Sequence, residues 1–233
     1  MRVLAPTTPV VVNRSKIERP VLGGSWVVRP QIDARLDRAR TRSLVLIVAP
    51  AGHGKTSTMV SWLRQRSLDA AWMTADPRDR DLTRFATHVA MALDRVAPGV
   101  APALCALLTA PDRAEPADLG EQFADRLYDL DQDVFLILDD FHEATTPATS
   151  GFVSGLLTAA PRRLHTIICS RTRISLPLSR LRTSGNVEEL TGADLRFSVE
   201  ETRQLLSLQA GRPVDEAQVV SIQESVGGWP AAV

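Results

Sequence analysis

The stretch Ala49-Pro50-Ala51-Gly52-His53-Gly54-Lys55-Thr56 gathers residue types that can hold a phosphate group. Gly52 and Gly54 can adopt backbone conformations closed to most residues, which lets successive N–H groups turn inward around phosphate oxygens. Lys55 brings a compact ammonium to the β- and γ-phosphates, and the Thr56 hydroxyl can ligate magnesium. Ala51, His53 and Ser57 complete the expected contact set around them. The stretch departs from the G-x-x-x-x-G-K-[ST] pattern at its first position, where Ala49 stands for glycine.

Two further polar groups follow apolar runs. Val134-Phe135-Leu136-Ile137-Leu138 leads into Asp139-Asp140, and His165-Thr166-Ile167-Ile168-Cys169 leads into Ser170-Arg171. A carboxylate at a strand end, here Asp139, can hold magnesium directly or through water. Asp140 is placed to orient or deprotonate an attacking water, and Arg171 to sense or stabilise a γ-phosphate. Each has a plainer reading: the Asp pair as a loop start, Arg171 as a solvated strand end. His53 and His142 read as surface histidines, since no Cys or His lies at a metal-ligand spacing. Asp76, Asp79 and Asp81 read as a solvated turn, and Trp229 as a core aromatic in preference to one that stacks on a base.

These residues need a scaffold that brings strand ends together. Apolar, β-rich runs predict strands at 44–49, 70–74 and 134–138, with another from His165 and a last one over Val187–Leu190. Helical spacing between them predicts helices at Ile32–Ala39, 55–66, Leu82–Arg95, Ala117–Leu130 and Thr149–Ala159. Pro98-Gly99-Val100-Ala101-Pro102 and Pro111 to Pro116 bracket what reads as a mobile, alanine-rich connection. Strands alternating with helices describe an α/β fold, a parallel sheet covered on both faces, whose ligands bind at the carboxyl ends of the strands. Beyond Asp194 only helices are expected. Ser198 with Glu201 forms a capping box before Thr202–Leu208, and Gly227-Gly228-Trp229-Pro230 stops a helix over Val214–Val226. The expected division is a tail or edge strand at 1–13, a phosphate-loop domain at 14–195 and a small helical piece at 196–233.

Composition narrows the function classes. Of 233 residues, 44% are hydrophobic and 23% charged, as in a folded domain. Basic and acidic residues balance at 27 each, leaving no net field to grip DNA or an anionic membrane. Lys16 and Lys55 are the only lysines among the basic residues, so a compact ammonium stands in the phosphate loop of an arginine-dominated chain. Cys105 and Cys169 are too few for a disulfide framework, and no apolar run reaches about 18 residues. A reduced, cytoplasmic setting with no membrane partner is expected.

With both phosphate-site motifs in view, the chain resembles the signal-transduction ATPases with numerous domains, specifically the large LuxR-type, MalT-like transcription regulators. The resemblance runs from about residue 14 to 233. It rests on Lys16-Ile17 with Pro20, Val27-Val28-Arg29-Pro30, the loop from Ala49 to Thr56, and Trp72 with Asp76 and Asp79. Leu138 through His142, Ser170-Arg171, Leu176-Pro177-Leu178, Asp194 through Phe197 and Gly228-Trp229-Pro230 continue it in order. In that family Ala-Pro-Ala-Gly is the usual loop opening, and His53 stands where tyrosine is common. The resemblance implies a P-loop NTPase fold with a helical lid segment, binding ATP or ADP with Mg2+. Arg29 would lie near the nucleotide, Asp139 would hold magnesium, Arg171 would sense the phosphate and Pro230 would close over the base. It further implies a signalling switch with slow ATP hydrolysis, self-association on activation, and DNA contact only through a C-terminal domain absent from these residues. The helical piece is then expected to be truncated. A stand-alone P-loop ATPase or a small-molecule kinase is the alternative.

Overall fold

Five strands, β1 (Leu44–Val48), β2 (Ala70–Thr74), β3 (Val134–Asp139), β4 (Leu164–Ser170) and β5 (Val187–Thr191), pair in parallel in the order β2-β3-β4-β1-β5. The computed structural model describes residues 12–23, 26–110 and 114–233. All but the last two residues of the expected tail at 1–13 lie outside the described residues, as do 111–113 of the second proline stretch.

Alternation along the strands sets the two faces. Leu44 and Leu46 of β1 join one apolar cluster with Met73, Phe85, Leu136 and Phe152, while Val45 and Ile47 join another with Trp62, Trp72, Ile137 and Cys169. A period of two thus sends successive side chains into separate helical layers. Both faces being covered explains why β3 and β4 are buried along their whole length and read as continuous apolar runs.

The helices are α1 (Pro30–Leu36), α2 (Lys55–Gln65), α3 (Leu82–Asp94), α4 (Val100–Thr109), α5 (Pro116–Asp125), α6 (Pro147–Thr158), α7 (Ser179–Thr183), α8 (Val199–Ala210) and α9 (Glu216–Val226). The α2 helix buries Met59, Val60, Trp62 and Leu63 under the sheet, with Trp62 edge-on to Phe135 at 5.5 Å between ring centroids. Such aromatic pairs add about 0.5–1.5 kcal/mol beyond the area they bury. Among the described residues no helix is long and apolar enough to cross a membrane.

Three local expectations change. The alanine-rich stretch after Pro98 is not a mobile connection: Val100–Thr109 forms α4, which buries Ala101, Leu104 and Leu108. Asp94 accepts hydrogen bonds from the Gly99 and Ala101 N–H groups at its start. Alanine and leucine favour helix strongly enough to outweigh Pro102, which the first turn tolerates. The Asp76–Asp81 segment is not a solvated turn, because Asp79 is fully buried among Lys16, Arg84 and His88. Trp229 is not a core residue. It is 43% exposed and lies against the phosphate loop.

Candidate functional site

Strand register aligns the polar groups along one edge of the sheet. Val48 pairs with Ser170 and with Thr191, Leu138 pairs with Ile168, and Thr74 pairs with Asp139. The loop after β1, Asp139-Asp140 after β3 and Ser170-Arg171 after β4 therefore emerge side by side at the carboxyl ends.

The loop itself runs from Ala49 into α2. Gly52 and Gly54 sit at φ of 77° and 72°, in the left-handed region where glycine carries no penalty. Gly54 is the N-cap of α2, and no side chain caps the helix. The first-turn N–H groups are therefore open to an anion at the positive end of the helix dipole. Lys55 is buried, and its Nζ donates to the carbonyls of Ala49 at 2.7 Å and Pro50 at 3.1 Å. Burial pulls its pKa down, opposed by the nearby charges of Asp140 and Asp139.

The Thr56 hydroxyl donates to Asp139 Oδ2 at 2.8 Å, closing the loop onto β3 across 83 residues of sequence. Asp139 is 2% exposed, and burial raises its pKa against the Thr56 hydrogen bond. Among the described residues no three His, Cys, Asp or Glu gather as a self-sufficient metal site. Two protein oxygens, from Thr56 and Asp139, suit magnesium, which commonly takes its remaining ligands from phosphate and water.

Asp140 adopts the left-handed conformation at φ 51°, a strained backbone state that aspartate tolerates better than most residues. Arg171 Nε lies 3.4 Å from Asp140 Oδ1, and His142 Nδ1 lies 3.8 Å from the same oxygen. Arg171 stays half-exposed. His142 is partly buried, between Asp140 and Glu143, so it is more enclosed than a surface histidine.

A cavity of about 370 Å³ opens beside the loop. Gly52, Gly54, Ser57 and Thr58 form one wall, Trp26, Val27 and Arg29 a second, and Phe197 with Pro230 a third. The C-terminal segment rests directly on the loop: the Ala231 N–H donates to the Gly52 carbonyl at 3.1 Å. Trp229 lies so close that a Cβ on Gly52 would come within 2.9 Å of its Cζ2. His53 faces the Trp229 ring at 6.4 Å between centroids. Thus Arg29, Gly52, Gly54, Ser57 and Pro230 share one cavity, with Lys55, Thr56, Asp139, Asp140 and Arg171 grouped at the adjoining strand ends. Ala51 and His53 belong to the loop but do not line the cavity.

Sequence reasoning missed Trp26, Asp33 and Phe197 as lining residues and Glu201 as a partner of Arg29. The buried Asp33 carried a signal, since an acid stood on the apolar side of a short amphipathic helix beside Ile32 and Leu36. Glu201 was read only as a cap.

No protein-family model matches the chain. A serine/threonine-protein kinase PknK of Mycobacterium tuberculosis is 30% identical over 232 residues, covering 98% of this chain and 21% of its own length. The protein of the same name from Mycobacterium bovis gives the same figures. The chain therefore spans about a fifth of the length of the curated relatives it matches. Among solved structures, the Aeropyrum pernix ORC1 protein in complex with DNA superposes with a TM-score of 0.51 at 17% identity, covering 87% of this chain and 55% of that one. The fold is that of a P-loop NTPase, a parallel sheet flanked by helices and followed by a small helical segment.

Proposed function

We propose that this chain is a nucleotide-dependent switch module that binds ATP or ADP with magnesium and hydrolyses ATP slowly. The observation that carries the reading is the convergence at one sheet edge of an uncapped helix start, Lys55, the Thr56–Asp139 pair and the Asp140–Arg171 pair. Lys55 offsets phosphate charge, Thr56 and Asp139 hold the metal, Asp140 positions water and Arg171 reports the γ-phosphate. Magnesium supplies Lewis-acid neutralisation of the phosphate oxygens. In this reading residues 14–195 are the nucleotide domain and 196–233 a helical segment. In support, α8 and α9 bury only Thr202 and Val219 between them among the described residues, far less than the elements of the sheet. A weakly buried helical pair whose C-terminal extension, Trp229–Ala231, rests on the loop is a two-state element that a γ-phosphate can bias.

The larger context follows from the resemblance: a LuxR-type transcription regulator, self-associating when activated and reaching DNA through another domain. The relatives named serine/threonine-protein kinases support a second context, in which the same module serves a signalling kinase. Both contexts use the same site. We predict that Lys55→Ala lowers affinity for ATP with magnesium at least about 100-fold, as expected for loss of a charged hydrogen bond to phosphate. Calorimetric titration checks it, and an unchanged dissociation constant removes the site assignment.

A further inference from the structure

Arg29 is 6% exposed, and its guanidinium is only partly satisfied. Nε donates to Glu201 Oε1 at 3.0 Å, and Nη2 donates to the Arg196 carbonyl at 2.9 Å. The group lies over the Phe197 ring at 5.0 Å. Nη1 is buried and has no hydrogen-bond partner among the described residues. Arg29 also lines the cavity beside Gly52, Gly54 and Ser57. A buried, unpaired guanidinium nitrogen carries a cost of about 1–3 kcal/mol, more for a charged group, which a ligand acceptor placed there removes.

Glu201 binds at both of its carboxylate oxygens. Oε1 accepts from Arg29 Nε, while Oε2 accepts from Arg29 Nη2 at a longer 3.5 Å and from the Ser198 N–H at 2.8 Å, completing the capping box at the start of α8. One carboxylate thus ties the cavity-lining guanidinium to the first turn of the helical segment, across 172 residues of sequence.

We propose that Glu201 is a positioning residue that holds Arg29 with Nη1 toward the nucleoside part of the ligand, and that filling this cavity orders the first turn of α8. The inference rests on the nucleotide reading above and adds how occupancy of that site reaches the helices. The ligand part concerned is the ribose or base, because the phosphates belong to the loop and Lys55. An acceptor there pairs with Nη1, which fixes the guanidinium plane and strengthens the Glu201 contact on the other side.

The test compares ATP with inorganic tripolyphosphate on the full chain. Glu201→Gln suits it, because glutamine still caps Ser198 but loses the ion pair with Arg29. ATP affinity is expected to fall about tenfold, the effect of weakening one charged hydrogen bond, with tripolyphosphate affinity unchanged. In the wild type, ATP but not tripolyphosphate should slow amide hydrogen exchange at Ser198–Thr202, and Glu201→Gln should lose that protection. Equal losses for both ligands, no loss for either, or ATP protection retained in the variant overturns the relay. If the wild type binds neither ATP nor tripolyphosphate, the nucleotide reading itself falls and takes the relay with it. A matching thermal midpoint for wild type and variant shows that the fold is intact.

Discussion

Asp140 differs from its neighbour in every respect that matters for chemistry. Asp139 is buried and committed to Thr56, whereas Asp140 is partly exposed, strained and within reach of Arg171. A partly exposed carboxylate at the mouth of the site suits water activation, while a buried one suits holding a cation. We predict that Asp140→Asn slows ATP hydrolysis about 100-fold or more, in the range of a lost general base, and leaves nucleotide affinity within about threefold. Asparagine tolerates the left-handed backbone as aspartate does, so the change tests charge and not fold. Single-turnover kinetics with calorimetry decide the matter; full turnover in the variant would strip Asp140 of its role.

Between elements, α5 packs against α6 at backbone contact. A Cβ on Gly155 would fall on the Ala117 carbonyl oxygen, and one on Gly120 would fall on the Phe152 carbonyl oxygen. Glycines here let two helix backbones touch, and Phe123 and Phe152 pack edge-on at 4.9 Å beside the crossing. Because the obstacle is backbone, it has no rotamer in which to yield. We predict that Gly155→Ala destabilises the chain by about 3 kcal/mol, the upper range for overpacking, despite the better helix propensity of alanine. Gly151→Ala, whose nearest obstacle is the Pro116 side chain at 3.2 Å with backbone no nearer than 3.7 Å, should cost much less. Urea denaturation of the two variants measures the difference, and equal stabilities would show that the helices can separate freely. The crossing was not legible in advance, since glycine in a helix reads only as a weakness of that helix.

At the scale of the molecule, the second lysine does for the fold what Lys55 is proposed to do for the site. Lys16, from the N-terminal segment, pairs with Asp76 at 3.0 Å and with the fully buried Asp79, which also faces Arg84 at 3.2 Å and His88 at 3.1 Å. Burial pushes the Asp79 carboxyl up, but the adjacent His88 ring and the hydrogen bond from Lys16 outweigh it and hold its pKa below the ordinary 3.8. An acid with a lowered folded-state pKa adds stability above its ordinary value, and that stability drains away as pH falls through the folded value. Asp79→Asn is therefore expected to cost about 3–5 kcal/mol near pH 7, as when one partner of a buried ion cluster is removed. The gap to wild type should begin to narrow as pH falls below about 4 and close only once pH passes the lower folded-state value, where the wild-type carboxyl takes up its proton. Denaturation midpoints measured from pH 7 to pH 3 report this directly; a gap constant across that range would assign Asp79 a purely steric role.

Much of this protein was determined by its letters alone. The five strand runs, the glycines and lysine of the loop, and the acids and arginine at strand ends are local patterns whose physics needs no partner: a period of two, a positive φ, a charge after an apolar run. The Ser198–Glu201 capping box was equally local and formed as read. What only the tertiary structure decided are the pairings made across long sequence gaps. Asp79 became buried because Lys16 and His88 arrive from elsewhere, and Trp229 left the core because the last residues fold back over Gly52. Glu201 gained a second role because a cavity-lining arginine reaches the cap. A side chain's type states which partners it can satisfy, but burial and charge compensation depend on which distant segments the sheet brings to its one open edge.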